Sequence, residues 1–271
     1  MARQFSLSPL TAIGCTPPEL IYIASRAGFD FVSLRLAAFG LPGQADLDVA
    51  QNKEMLRQTK AALVETGIKL HEVELARIFD GFDPKRYLPA MEAAAELGGR
   101  HFLCNIWTDD RNFAMESFAE LCELAEPFGL AVELEFVPIA NVYDLAGAME
   151  MLRAAGRDNV GIVIDAFHFH RSGGKLEELN RVPREWIHCV HLCDTHAAVP
   201  ASKEEMTYFI RNERLYVGEG VINILGIVQR IPEVPYSLEI PHDKRVKELG
   251  CEEHARRCLQ TAKDYFIRSG N

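Results

Sequence analysis

The chain has 271 residues and a formal net charge of −10; 48% of its residues are hydrophobic and 25% charged. That length suits one closed α/β barrel, the composition is that of an ordinary globular protein, and the acidic balance disfavours nucleic acid as a partner. No apolar run approaches the roughly 20 residues of a membrane span, and the opening MARQFSLSPL has no apolar core, so neither a membrane nor a secretory signal is expected.

Taken in order, short β-type runs alternate with helical segments. The strand-like runs are 5–9, 31–36, 69–75, 101–106, 131–137, 160–165, 187–193 and 236–240. The first helix spans 17–27, with Thr16 placed to cap it, Pro17 and Pro18 in its first turn and Gly28 after its end. Further helices are expected over 47–65, 84–97, 112–127, 141–155, 222–230 and 251–267. Five helices run into a glycine shortly before the next strand: Gly28, Gly67, Gly98–Gly99, Gly129 and Gly156. Helix, glycine stop, strand is the chemistry of a parallel sheet. Eight such units read as a single (β/α)8 TIM barrel over 1–271. A Rossmann sheet is disfavoured, because no GxGxxG opens a helix after a strand. Seven scattered cysteines without a CxxC pair fit reduced thiols in a cytoplasmic protein.

Alternation along barrel strands decides which side chains face inward. Val132, Leu134 and Phe136 suit the helix side, which turns Glu133 and Glu135 inward. The same logic puts Asp165, His191 and Glu239 inside on the next three strands. Glu135, Asp165, His191 and Glu239 therefore converge at the C-terminal mouth, where such barrels place their functional groups. Three carboxylates would repel one another there, and a divalent cation would resolve the conflict. One imidazole with carboxylate oxygens suits Mn²⁺, Mg²⁺, Co²⁺ or Zn²⁺. The competing reading is a set of structural ion pairs with arginines such as Arg35 or Arg171.

At these residues the chain resembles the xylose isomerase-like barrel superfamily of sugar and sugar-phosphate isomerases and epimerases, ketose 3-epimerases, hydroxypyruvate isomerase, inosose and 3-dehydroshikimate dehydratases and endonuclease IV. The matching pieces are LEF with Glu135, DAFH with Asp165 and His168, HLCD with His191, GEG at 218–220 followed by VINI, and LEIP with Glu239. The resemblance implies one divalent metal held by Glu135, Asp165, His191 and Glu239. It implies Glu135, Glu239 and His168 as catalytic residues, with His168 also beside the substrate. The implied reaction is isomerisation or epimerisation of a small sugar, keto-sugar or hydroxy-keto acid, by proton abstraction next to a carbonyl and a metal-stabilised enediolate. The alternatives are a dehydratase using the same enolate chemistry and a non-catalytic sugar-binding barrel or subunit. An endonuclease would need more metal ligands and a basic groove. Two stretches depart from the ketose 3-epimerases: FVSLRL offers Ser33 and Arg35 where many relatives carry a glutamate, and DTHAAVPAS has no arginine after the strand-seven histidine.

The remaining candidates are weaker. Arg35 suits a substrate carboxylate or phosphate, or an ion pair within the barrel. Asn105 and Trp107, at the mouth end of the fourth run, are candidate substrate contacts. Glu133, one layer deeper, reads as a structural partner of a nearby Arg or His. Neither parity of HEVEL is clearly apolar, so the facing of His71, Glu72 and Glu74 stays open. His170, His188 and His196 read as loop or surface groups, with His196 a reserve ligand. The long stretch 197–217 is a candidate lid. Assembly into a homo-oligomer is left open.

Overall fold

The computed structural model describes residues 3–37 and 49–270. Its strands are β1 (Phe5–Leu7), β2 (Phe31–Arg35), β3 (Lys69–Ile78), β4 (His101–Ile106), β5 (Ala131–Glu135), β6 (Val160–Asp165), β7 (Val190–Leu192) and β8 (Tyr236–Leu238). All pair in parallel, each with its sequence neighbour, and β8 closes on β1 through Phe5↔Tyr236, Ser6↔Ser237 and Leu7↔Leu238. The eight expected runs are thus the eight staves of one (β/α)8 barrel. Their outward faces carry Val132, Leu134, Ile162, Ile164, Val190, Leu192 and Leu238, none of which meets solvent.

The helices are α1 (Pro17–Ala27), α2 (Lys53–Thr66), α3 (Leu88–Glu96), α4 (Arg111–Ala125), α5 (Leu145–Ala155), α6 (Ala166–Arg171), α7 (Leu176–Leu179), α8 (Lys203–Asn212), α9 (Ile224–Val228), α10 (Asp243–Leu249) and α11 (Cys251–Arg268). Among the described residues no helix is long and apolar enough to cross a membrane. Helix α1 has the expected bounds, and the Thr16 N–H donates to Glu19 Oε2 at 2.7 Å across its first turn. The glycine stops work as expected: Gly28, Gly67, Gly98, Gly129 and Gly156 all take positive φ.

Several bounds differ for local reasons. The helix expected over 47–65 begins at Lys53, because Asn52 caps it by accepting from the Met55 N–H; positions 47 and 48 lie outside the described residues. The helix expected from 141 begins at Leu145, where Asp144 accepts from the Gly147 N–H. The start of the segment 84–97 tightens into a 3₁₀ turn (Pro84–Tyr87). Helices α6, α7, α8 and α10 were not foreseen. In α8, which lies in the candidate lid, only Ile210 is buried, with Met206 and Phe209 on the same face packed partly against the core.

Strand β3 explains its own ambiguity. Val32 and Leu34 of β2 pair with Leu70 and Val73, and Phe102 and Cys104 of β4 pair with Val73 and Ala76. In each case three residues of β3 span what two residues span on its neighbour. These bulges reset the alternation, so Leu70, Val73 and Ala76 all reach the core while Glu72 and Glu74 are both buried.

Candidate active site at the barrel mouth

The barrel interior is unusually polar. Ser6, Ser33, Glu72, Glu74, Glu133, Glu135, Asp165, His191, Ser237 and Glu239 are all buried. Glu135 and Asp165 end β5 and β6, His191 lies within β7 opposite Asp165, and Glu239 directly follows β8. Each of these four offers one ligand atom, and the four atoms lie within 4.8 Å of one another. The expected quartet is therefore assembled, from four adjacent strands.

His191 is the hub. Its Nδ1 is 2.7 Å from Glu239 Oε2, 3.7 Å from Glu135 Oε1 and 4.0 Å from Asp165 Oδ2. Yet Nδ1 is buried and makes no hydrogen bond of good angle. Its other nitrogen, Nε2, lies 3.1 Å from Glu72 Oε2, which also accepts from the Ser33 hydroxyl. A carboxylate behind the far nitrogen fixes the ring and leaves Nδ1 facing the mouth.

Arg214 was not foreseen. It is fully buried; Nη1 donates to Asp165 Oδ2 at 2.6 Å, Nη2 lies 3.2 Å from Glu239 Oε1, and Nε donates to the Ile210 carbonyl. Its guanidinium sits 5.1 Å over the Phe167 ring. Backbone pairing holds it there: its N–H donates to the Pro241 carbonyl, and the flanking Glu213 and Leu215 bridge to His242 and Asp194. An arginine thus reaches the site from beyond α8, although DTHAAVPAS contains none. The signal available in the sequence was a lone arginine in front of an apolar run, RLYV, leading into GEG. Part of the charge conflict is met by this guanidinium and not by a metal ion.

The carboxylates respond differently to their surroundings. Burial pushes the Glu135 carboxyl well up, and the nearby Glu239 adds to this. Burial acts the same way on Asp165 and Glu239, but Arg214 together with His168 and His191 outweighs it and holds both below the usual carboxylate range. Burial would lower His191, but Glu72 and its other partners raise it well above an ordinary histidine. His168 is buried, which lowers it to about 4. Its backbone N–H donates to Asp165 Oδ1, capping α6, and its Nε2 lies 3.9 Å from Glu135 Oε1 and 3.5 Å from Arg214 Nη2.

The other expected residues are placed as follows. Arg35 Nε lies 3.5 Å from Glu74 Oε2, so the ion-pair reading of Arg35 is realised. Asn105 is buried and accepts from Trp107 Nε1, and Arg77 stacks over the half-buried Trp107 ring at 4.6 Å. Arg171 donates to the Thr195 hydroxyl and the His196 carbonyl, away from the quartet. His196 is exposed and does not join the quartet, so it is no reserve ligand. His188 corrects the surface reading: it is half-buried and pairs with Glu133 at 3.0 Å.

Comparison with known proteins agrees with this fold. The model of the xylose isomerase-like TIM barrel family matches residues 21–262. An inosose isomerase of Halalkalibacterium halodurans is 31% identical over 153 residues, 55% of this chain and 51% of that protein. An inosose isomerase of Bacillus subtilis is 30% identical over 126 residues, 46% of this chain and 43% of that protein. The chain thus matches about half the length of these curated relatives. Among solved structures, the zinc-bound IOLI protein superposes with a TM-score of 0.81 at 21% identity, covering 98% of both chains. The probable 3-DHS dehydratase AsbF of Bacillus anthracis gives 0.69 at 16% identity, covering 95% of this chain and 98% of that one. These two likenesses speak for the fold alone.

Proposed function

From the premise that the chain belongs to the xylose isomerase-like TIM barrel family, we propose that it is a metal-dependent isomerase or epimerase of a small sugar or keto-sugar, with inososes the first substrates to try. The observation that carries this is the buried His191 Nδ1, without a hydrogen bond, among carboxylates from three other strands. Three carboxylate oxygens and one imidazole nitrogen match the donor set of Mn²⁺, Mg²⁺, Co²⁺ or Zn²⁺. Glu135, Asp165, His191 and Glu239 would hold that ion. When bound, it would withdraw electron density from a substrate carbonyl and make the neighbouring C–H more acidic.

The chain's own residues supply the rest. Glu135 and Glu239 stand on strands three apart, so their carboxylates approach a substrate from two sides. One removes the proton from the carbon beside the carbonyl, and the other returns it to that carbon or its neighbour. His168, neutral and buried, hydrogen-bonds a substrate hydroxyl through Nε2. Arg214 fixes the orientation of Asp165 and Glu239. Asn105, Trp107 and Arg35 are the proposed substrate contacts on the β2–β4 side. A small-molecule substrate also suits the net charge of −10.

The test is proton exchange in D₂O. Inososes and ketoses are incubated with chelator-stripped protein resupplied with each of the four metals, and loss of the α-proton is followed by NMR. Metal-dependent exchange is expected, with Glu239→Gln slowing it by about 10²–10⁴-fold. No exchange from any of these substrates with any of the metals, in protein shown to be folded, would sink the reading. An unsaturated product would replace the isomerase by a dehydratase.

A further inference from the structure

Glu133 lies two residues before Glu135 and faces the same interior, about 7 Å nearer the barrel floor. It is fully buried. His101, the first residue of β4, brings Nδ1 to 2.5 Å from Glu133 Oε1, and His188, just before β7, brings its own Nδ1 to 3.0 Å from the same oxygen. The two imidazole rings lie 4.9 Å apart between centroids, only 31° from parallel. One ligand atom from each of the three residues falls within 4.8 Å of the others.

Three details mark this as more than a hydrogen-bonded pair. His101 Nδ1, although 2.5 Å from the carboxylate, makes no hydrogen bond of good angle, and Glu133 Oε2 has no hydrogen-bond partner among the described residues. Both are polar atoms that burial makes costly to leave unsatisfied. Gly161 of β6 leaves the room: a Cβ there would come within 2.8 Å of His188 Nδ1 and 3.1 Å of Glu133 Cγ. The side chains of His188 and His101 keep 31% and 18% of their surface exposed, so the group is reached by solvent from the floor.

We propose that His101, Glu133 and His188 form a second divalent-cation site at the N-terminal end of the barrel, separate from the mouth. Two imidazoles and one carboxylate favour a borderline ion of the Zn²⁺ or Co²⁺ kind over Mg²⁺ or Ca²⁺, with water completing the shell. Ligand distances of about 2.0–2.2 Å put donor atoms about 3–3.5 Å apart, so small rotations of the two rings suffice. The ion ties β4, β5 and the entry to β7 together across the floor, and its role is structural. The competing arrangement is a proton on His101. Burial opposes that proton, but Glu133 outweighs burial and raises the His101 pKa.

The test is metal content and thermal unfolding of chelator-stripped protein resupplied with Zn²⁺ or Co²⁺ alone. One equivalent per chain is expected to disappear in His188→Asn and in His101→Asn while persisting in Glu239→Gln. An equivalent lost only in Glu239→Gln belongs to the mouth, so failure of the proposed function and failure of this site are read from different variants. Equal metal content in the wild type and both floor variants overturns the site. Should a variant not fold, the wild type decides: Co²⁺ must broaden the ring-proton NMR signals of His101 and His188, and unbroadened signals at saturating Co²⁺ overturn it as well.

Discussion

Glu133 and Glu135 share a strand, a facing and nearly complete burial, yet their charges are set in opposite directions. Burial raises both. At Glu133 the two histidines of the floor outweigh it and bring the carboxyl down to about 2. At Glu135 the nearest strong influence is another carboxylate, Glu239, and the carboxyl stays well above its usual range. Arg214, which holds down Asp165 and Glu239, acts on Glu135 more weakly than Glu239 does. A barrel interior is thus a stack of separate electrostatic layers. Which layer a carboxylate occupies, and what the opposite strands bring to that layer, decides whether it is held charged or pushed towards its neutral form.

The largest effect should come from removing the cation of the upper layer. Arg214→Met leaves Asp165 and Glu239 buried without it, and should cost about 3–5 kcal/mol in chemical unfolding of the stripped protein. Added divalent metal should recover part of that loss. A variant as stable as the wild type would mean that the upper layer is not held by ion pairing.

The comparison sharpens when the same substitution is made in both layers. Glu133→Gln should destabilise the metal-free protein by about 1–3 kcal/mol, because it removes the charged partner of His101 and His188. Glu135→Gln should change stability by less than about 1 kcal/mol, since the amide replaces a carboxyl already pushed towards its neutral form. It should nevertheless abolish α-proton exchange. Equal losses of stability in the two variants would break the contrast.

The floor layer can be tested from its other side with Gly161→Ala. The added methyl presses on His188 and Glu133, not on the mouth, and should cost about 1–3 kcal/mol. Proton exchange at the mouth should be unchanged, which isothermal kinetics on the folded variant would check.

Much of this was legible in the chain itself. Alternation on β5 to β8 needs only a clear apolar face, and Val132, Leu134, Ile162, Ile164, Val190 and Leu192 provide it. That is why Glu135, Asp165, His191 and Glu239 could be turned inward from the sequence. The glycine stops were readable for a similar reason, since positive φ is a local demand that one residue type meets cheaply. His188 was misread because the expected run 187–193 gives it the helix-facing parity of Val190 and Leu192, whereas the strand begins only at Val190 and His188, before it, turns to Glu133 instead. Glu72 and Glu74 resisted assignment because two bulges break the alternation of β3.

The sequence by itself determined the order of eight strand–helix units, the inward parity of four ligand-type residues and the family to which the motifs belong. These depend on contacts within a few residues, where side-chain period and backbone preference act directly. Only the tertiary structure decided that Arg214 returns from beyond α8 to lie between Asp165 and Glu239, that Glu72 backs His191, and that His101 and His188 meet over Glu133. Those meetings join residues far apart in the chain. Their electrostatics depend on distance and burial in the closed barrel, which local sequence patterns do not encode.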